Sequence, residues 1–146
     1  MASKAKADLL KKIIYKSGIL CTKIISSIKL SLEKPKKEDF IKIVNESSAP
    51  YEAGIIAKKF ISQFGGKSVF RDKEYLDWRL FKNPYLKSIF KSLYVNERLV
   101  GWVAYTLGDD GVGYLVDIIA VEDESKLVTM DESVKILLYE AVTGTR

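Results

Sequence analysis

The sequence predicts an α+β fold, in which a mostly antiparallel sheet is flanked by helices. The first observation is a run of three β-rich segments over residues 88–121, separated by the short connections Asn96-Glu97 and 108–111. The second is that the segments before and after this run carry apolar residues at the three- and four-residue spacings of helices. The third is the length of 146 residues, which suits a single domain.

The first quarter of the chain predicts a basic amphipathic helix, which we assign to residues 1–27 as a unit separate from residues 28–146. Over residues 5–28 the apolar side chains share one arc of the helix, and most lysines occupy the opposite arc. Residues 1–37 hold ten lysines against two acids, a net charge of +8, whereas the remainder carries −3. Two interpretations stay open: the helix packs on the domain's own core, or it lies in a membrane interface with its lysines against anionic lipid.

The residue types that are rare in this chain exclude several chemistries. There is no histidine and only one cysteine, Cys21, so Ser-His-Asp and Cys-His catalysis are excluded and no metal site is expected. The acidic balance of residues 38–146 argues against a nucleic-acid interface there. No apolar stretch is long enough to span a bilayer, and no signal-peptide cleavage site follows the first helix. We therefore expect a cytoplasmic protein, or one associated with the cytoplasmic face of a membrane through its basic helix.

Two elements are predicted before residue 46. Apolar and polar residues alternate over 28–33, which predicts a short strand that ends at Pro35. A helix is expected over 37–45, because its apolar residues are spaced for one face and its first turn holds acids, which the helix dipole favours.

Two further helices are predicted before the β-rich part. Ser47 or Ser48 can cap the first of them, which should end at Gly65-Gly66. Asp72 can cap the second, which covers Lys73–Lys82 and ends before a proline.

The C-terminal half predicts a meander followed by a helix. The three strands are Ser88–Val95, Leu99–Leu107 and Val112–Val121. A polar loop then leads to a helix over Asp131–Val142, whose apolar residues are three and four apart.

Three segments carry a resemblance to a known family. Tyr94–Gly101 combines a hairpin turn with an apolar pair and a glycine, Tyr75–Pro84 contains Trp-Arg-x-x-x-Asn-Pro, and Tyr114–Val121 is an apolar strand interrupted by one acid. With the order of elements from residue 28, they resemble the first two-thirds of a domain of the GNAT superfamily of N-acetyltransferases. The Trp-Arg segment is similar to that of GNAT-like proteins from bacterial polysaccharide- and peptidoglycan-related groups. The resemblance implies a GNAT-like domain over 28–146 that is truncated before the family's fifth strand.

The resemblance implies a function and a set of site residues. The activity would be transfer of an acetyl or acyl group from acetyl-CoA or another acyl-CoA to a small-molecule amine. Asp117, the only acid in its strand, is the candidate catalytic base, and the alternative is an edge aspartate that points into solvent or is bonded to a neighbouring loop. The expected cofactor-binding residues lie in the fourth strand and at the start of the following helix; they are Ile118, Ile119, Ala120, Val121 and Ser133.

A second cluster of residues is the candidate substrate-binding site. Trp78, Arg79, Asn83 and Tyr85 combine aromatic surface with a guanidinium group that could bind a carboxylate or phosphate. The alternative is that these aromatic residues belong to the core and that Arg79 fixes a helix end.

One departure from the family pattern bears on the cofactor. The family's glycine-rich loop before the helix is replaced by residues 129–134, which contain two acids and no glycine. Acids at a helix start repel a pyrophosphate. The alternative functions are therefore a non-catalytic GNAT-like binding module and a peripheral membrane protein. The strand edge Tyr114–Val121 also offers a surface for homo-oligomers.

The membrane interpretation of the N-terminal helix makes a direct prediction. Each lysine near an anionic bilayer contributes about 1 kcal/mol, so the full chain should co-sediment with anionic liposomes, less strongly at high salt, and not with neutral ones. The control is a version of the chain that starts at Ser27. Equal and negligible sedimentation of both versions would leave the helix as a packing element.

Overall fold

The computed structural model of the protein describes residues 34–35, 38–65 and 68–144, so the N-terminal helix and the strand predicted over 28–33 lie outside the described residues. Two helices and a π-helical segment separate the first strand from the other three. In chain order the elements are β1 (Ile41–Asn45), α1 (Ala53–Phe64), α2 (Lys73–Leu76), the π-helical segment (Asp77–Phe81), β2 (Ser88–Val95), β3 (Arg98–Leu107), β4 (Gly113–Ala120) and α3 (Met130–Gly144).

The strands form one antiparallel sheet in the order β1-β2-β3-β4, which confirms the α+β class and the meander. Asn96 and Glu97 link β2 to β3 with φ angles of 48° and 64°. Positive φ at both central residues is the signature of the tight hairpin turn that matches strand twist. The short connection therefore sets the pairing of β2 with β3.

The helix predicted over 37–45 is wrong, because this segment contains the strand β1. Ile41 pairs with Val95 and Asn45 with Lys91, so β1 lies along β2 at one edge of the sheet. The segment is rich in β-branched residues, which prefer extended backbone. Over so short a stretch, its apolar spacing fits both the helical and the strand period. Pairing with β2 therefore decides that the segment is a strand.

The sheet has a hydrophobic cluster on each face. The cluster on the first face packs against α1, α2 and the π-helical segment, and includes Leu76, Leu80, Phe90, Trp102 and Ile119. The cluster on the second face packs against α3, and includes Leu93, Val95, Val103, Tyr105 and Leu137. The result is a three-layer arrangement in which both faces of the sheet are covered.

The ends of α1 agree only in part with the sequence. The predicted serine caps are wrong, because Glu52 occupies the N-cap position and makes no side-chain capping bond. The predicted end is confirmed: Gly65 has φ +66° and its N–H donates to the Ile61 carbonyl at 2.8 Å. The strand and loop before α1 therefore position its start, whereas a glycine determines its end.

A pair of glycine substitutions tests the packing of the sheet. A Cβ on Gly101 would lie 2.4 Å from the Ile119 carbonyl oxygen and 3.0 Å from the Ala120 Cα, both of them backbone atoms. Gly101→Ala should therefore destabilise the fold by about 1–3 kcal/mol, as overpacking does. The control is Gly54→Ala in α1, where the nearest atoms lie at 3.6 Å and alanine should stabilise by up to about 1 kcal/mol. Urea denaturation of both variants measures the difference, and equal stabilities would contradict the close approach of β3 to β4.

Candidate functional site

An irregularity in β4 shapes the candidate site. Asp117 lies opposite Ala104 and Leu115 lies opposite Tyr105, so Val116 is an extra residue in the ladder. Val116 packs in the first-face cluster and Leu115 in the second-face cluster. The bulge thus places the consecutive residues Val116 and Asp117 on the same face, toward α1 and α2. The other edge of β4 pairs with no strand among the described residues.

The Asp117 carboxylate accepts hydrogen bonds from three different groups. The Nε of Arg71 donates to both carboxylate oxygens, at 3.2 and 3.0 Å. The indole Nε1 of Trp102 donates to Oδ2 at 3.5 Å, and the backbone N–H of Ile118 donates to Oδ1 at 3.1 Å. The side chains of Arg71 and Asp117 are 23% and 12% exposed, so the pair is largely shielded from water.

These contacts show one role of Asp117, a structural one. Trp102 is fully buried in the first-face cluster, and a buried indole N–H needs an acceptor. Arg71 lies just before Asp72, which caps α2 by accepting from the Tyr75 N–H at 2.9 Å. The carboxylate therefore ties the start of α2 to β4. The sequence points to Asp117 but not to Arg71, because the two residues are 46 positions apart and no spacing rule links them.

The start of α3 is closed by its own side chains. The N–H and the Oγ1 hydroxyl of Thr129 both donate to Glu132 Oε2 at 2.9 Å, and the Glu132 N–H donates to Thr129 Oγ1 at 3.3 Å. This reciprocal arrangement is a capping box. The hydrogen bonds from Thr129 lower the pKa of Glu132. The helix start therefore carries a negative charge at neutral pH, and the N–H groups of Thr129 and Glu132 are already used.

This helix start does not fit the diphosphate of a CoA cofactor. A surface pocket of about 320 Å³ adjoins it, lined by Gln63, Phe64, Glu122, Thr129, Met130 and Asp131. Glu122 and Asp131 add negative charge to the rim, and a diphosphate requires free N–H donors and positive charge. Ser133 is fully buried and its hydroxyl has no hydrogen-bond partner among the described residues.

The other expected cofactor-binding residues can offer a ligand their backbone groups but not their side chains. Ile119, Ala120 and Val121 are buried in the two clusters, and Ile118 packs against the second-face cluster. The Val121 N–H already donates to the Val100 carbonyl at 2.9 Å. A ligand along this part of the chain would therefore contact the free backbone edge of β4.

The structure brings together two of the four predicted substrate-binding residues. Trp78 is 66% exposed and its ring lies 6.1 Å from that of Tyr75. Arg79 Nη1 donates to the Tyr75 hydroxyl at 2.6 Å. Asn83 instead forms a turn, in which its Oδ1 accepts from the Tyr85 N–H at 2.9 Å. The Tyr85 side chain is 95% exposed.

A largely buried ion pair between Lys73 and Asp77 anchors the helical segment that carries Trp78 and Arg79. Lys73 Nζ donates to Asp77 Oδ2 at 2.7 Å and to the Ala49 carbonyl at 2.9 Å, while the Ala49 N–H donates to Asp77 Oδ1 at 2.7 Å. Burial opposes ionisation of Asp77, but the bonds from Lys73 and Ala49 outweigh it and lower the pKa of that carboxyl. Its contribution to stability is thus present at neutral pH and is lost as the pH falls through the lowered pKa. The Lys73–Asp77 spacing of four could have indicated this pair from the sequence.

Comparisons of the chain with protein-family models, with curated proteins and with solved structures gave no match. No helix among the described residues is long and apolar enough to cross a membrane. Within those same residues, no group of three or more potential ligand side chains is placed to hold a metal ion. The functional interpretation therefore depends on the residues and contacts above.

Removal of the charge on Asp117 tests its anchoring role. Asp117→Asn weakens the bonds from Arg71 and Trp102, so we expect the free energy of unfolding to fall by about 1–3 kcal/mol. Asp109→Asn, in an exposed turn, is the control and should change it by less than about 0.5 kcal/mol. Arg71→Gln combined with Asp117→Asn should cost less than the sum of the two single changes. Additive effects in urea denaturation would contradict a direct coupling.

Proposed function

We propose that the chain is a GNAT-like N-acyltransferase domain, which transfers an acyl group from a thioester donor to a small-molecule amine. One observation carries the proposal: an antiparallel sheet β1-β2-β3-β4 whose last strand has a bulge and an edge that pairs with no other strand among the described residues. The order strand, two helical segments, three-strand meander, helix supports the same assignment. The Trp-Arg-x-x-x-Asn-Pro segment adds a sequence feature that resembles the family.

The chain's own residues would supply two contributions to such a reaction. A backbone N–H at the unpaired edge of β4 would donate to the acyl carbonyl, which stabilises negative charge on its oxygen as the amine attacks. The C–S bond would then break, and the thiolate would leave and take up a proton to give the free thiol. Asp117, oriented by Arg71 and Trp102, is the proposed acceptor of the amine proton. The acidic start of α3 offers no suitable binding site for the diphosphate of CoA, so recognition of the donor would depend on its pantetheine arm.

The capping box and the acids at the start of α3 favour a second candidate, a non-catalytic GNAT-like binding module. In that case the chain binds no thioester, and the domain acts through a partner or ligand at its surface. The free edge of β4 would then be a site for a second chain, since unpaired strand edges favour pairing.

Thioester binding distinguishes the two functions. The full chain is titrated with acetyl-CoA and with S-acetylpantetheine, which lacks the diphosphate, and the shift in melting temperature is measured. For the acyltransferase we expect both thioesters to raise the melting temperature at similar concentrations. We also expect an amine-dependent release of free thiol when a panel of amines is added.

A matched variant tests where the thioester binds. Ala120→Pro removes the β4 backbone N–H that precedes Val121, whose own N–H donates to β3, and should abolish the shift, because successive N–H groups of a strand point to opposite edges. Leu107→Pro, at the exposed end of β3, is the control for the effect of a proline in a strand. Both variants must first show cooperative unfolding. The absence of any shift with either thioester on the unaltered chain would reject the acyltransferase and leave the binding module.

A further inference from the structure

The helical layer on the first face of the sheet exposes large apolar side chains to solvent. Nine such side chains are exposed among the described residues, and five of them lie within residues 51–82, which form this layer. They are Tyr51, Ile55, Val69, Phe70 and Trp78. We call the outer side of the layer, with these five residues, the aromatic face. Clustered apolar exposure of this kind marks an interaction surface.

Contacts between the elements join these residues into one surface. The ring of Phe70 packs on α1, because a Cβ on Gly54 would lie 3.6 Å from its Cζ atom. Lys73 Nζ lies 5.2 Å from the centroid of the Tyr51 ring and donates to the loop before α1, which places the start of α2 beside that ring. Trp78 lies in the π-helical turn that directly follows α2. The exposed side chains therefore belong to neighbouring elements and not to separate parts of the domain.

The outer side of α1 carries an aliphatic residue at a position that faces water. Ala53, Ile56 and Ala57 are buried and mark the side of the helix that packs on the sheet. At the helical angle per residue, Ile55 lies on the opposite side, and its side chain is 60% exposed. The outward side of a surface helix is ordinarily polar. An isoleucine there favours an apolar partner.

Cations accompany the rings of the aromatic face. Within the part of the chain that the structure describes, all three contacts between a cation and an aromatic ring belong to this layer. They join Lys58 to Phe70, Lys73 to Tyr51 and Arg79 to Tyr75, at 5.5, 5.2 and 5.9 Å from the ring centroids. Lys58, Arg79 and Lys82 are exposed and form no salt bridge among the described residues. Their charges are therefore available to an anionic partner.

The charge of the domain is divided between this layer and the rest. Residues 51–82 contain seven Lys/Arg against four Asp/Glu, a net charge of +3. The other residues of 38–146 contain seven Lys/Arg against thirteen Asp/Glu, a net charge of −6. A negatively charged surface therefore attracts the helical layer and repels the opposite side of the domain, which would orient the molecule with its aromatic face toward that surface.

We propose that the aromatic face docks on an anionic lipid bilayer. Trp78 and Ile55 enter the interface, where aromatic rings are favoured, and Lys58 and Arg79 contact the lipid headgroups. A single-stranded nucleic acid would suit the rings and the cations, but it offers nothing to the aliphatic Ile55 and Val69. A second copy of the chain would bring two positively charged faces together. The proposal concerns residues other than the basic segment 1–37, and it does not depend on acyl transfer.

Tryptophan fluorescence of the full chain reports on this face and not on the segment 1–37. The chain has two tryptophans, and Trp102 is fully buried, so lipid can reach only Trp78. The chain is mixed with vesicles of phosphatidylcholine and phosphatidylserine in equal parts, or of phosphatidylcholine alone, each with and without bromine on the acyl chains of the phosphatidylcholine. We expect the mixed vesicles to shift the Trp78 emission to shorter wavelength and their brominated form to quench it. Both effects should weaken at high salt and be much smaller with neutral vesicles.

Matched variants locate the contact. Lys58→Gln and Arg79→Gln should each lower the partition coefficient on the anionic vesicles by about fivefold, the loss expected for one cation near such a surface. The control for charge is Lys135→Gln, at an exposed lysine in α3 on the other face of the sheet. Ile55→Gln should reduce both the partitioning and the quenching, and its control is Leu107→Gln, at an exposed leucine of β3. All five substitutions change exposed side chains, so cooperative unfolding should persist in each.

Four outcomes would overturn the inference. The first is no binding to anionic vesicles, and the second is binding without quenching of Trp78, which would mean that another part of the chain meets the lipid. The third is an equal loss of partitioning in Lys58→Gln and Lys135→Gln. The fourth is a response of Trp78 to polyuridylate at lower concentration than to the vesicles, which would favour a single-stranded nucleic acid. A failed thioester titration would reject the transferase and leave the bilayer contact standing.

Discussion

The bulge in β4 is the constraint on which the rest of the structure depends. Val116 is an extra residue in the ladder between β3 and β4, so the consecutive residues Val116 and Asp117 both face the first-face cluster. The carboxylate then reaches the buried indole of Trp102 and the guanidinium of Arg71. A buried indole N–H without an acceptor would be costly, and an unpaired carboxylate facing the core would cost more. The three groups therefore satisfy one another across the sheet and the α2 region.

The helical layer on the first face is fixed by polar ties as well as by packing. Asp77 joins the loop before α1 to the π-helical segment through the Ala49 N–H and the Lys73 ammonium group. Arg71 joins the start of α2 to β4. These ties allow a short helix and an unusual turn to keep one geometry.

Charge is distributed unevenly over the molecule, with consequences for any ligand. The start of α3 is acidic, and its capping box uses the N–H groups of Thr129 and Glu132, so it does not favour anions. The segment 78–87 is basic and free of acids. A molecule that carries both an ammonium and an anionic group would therefore be oriented by the protein, with its anion toward 78–87.

The sequence by itself determined the elements whose signals are local: the meander with its Asn96-Glu97 turn, the Asp72 cap, the end of α1 at Gly65 and the helix after residue 130. Turn, cap and periodicity signals act within a few residues and need no partner. Only the tertiary structure decided that 41–45 is a strand, because pairing with β2 outweighs an ambiguous apolar spacing. It also decided the role of Asp117, since its partners Arg71 and Trp102 are 46 and 15 positions away. Contacts at that separation depend on how the layers pack. The bulge in β4, which no local sequence pattern marks, decides on which face of the sheet the Asp117 carboxylate lies.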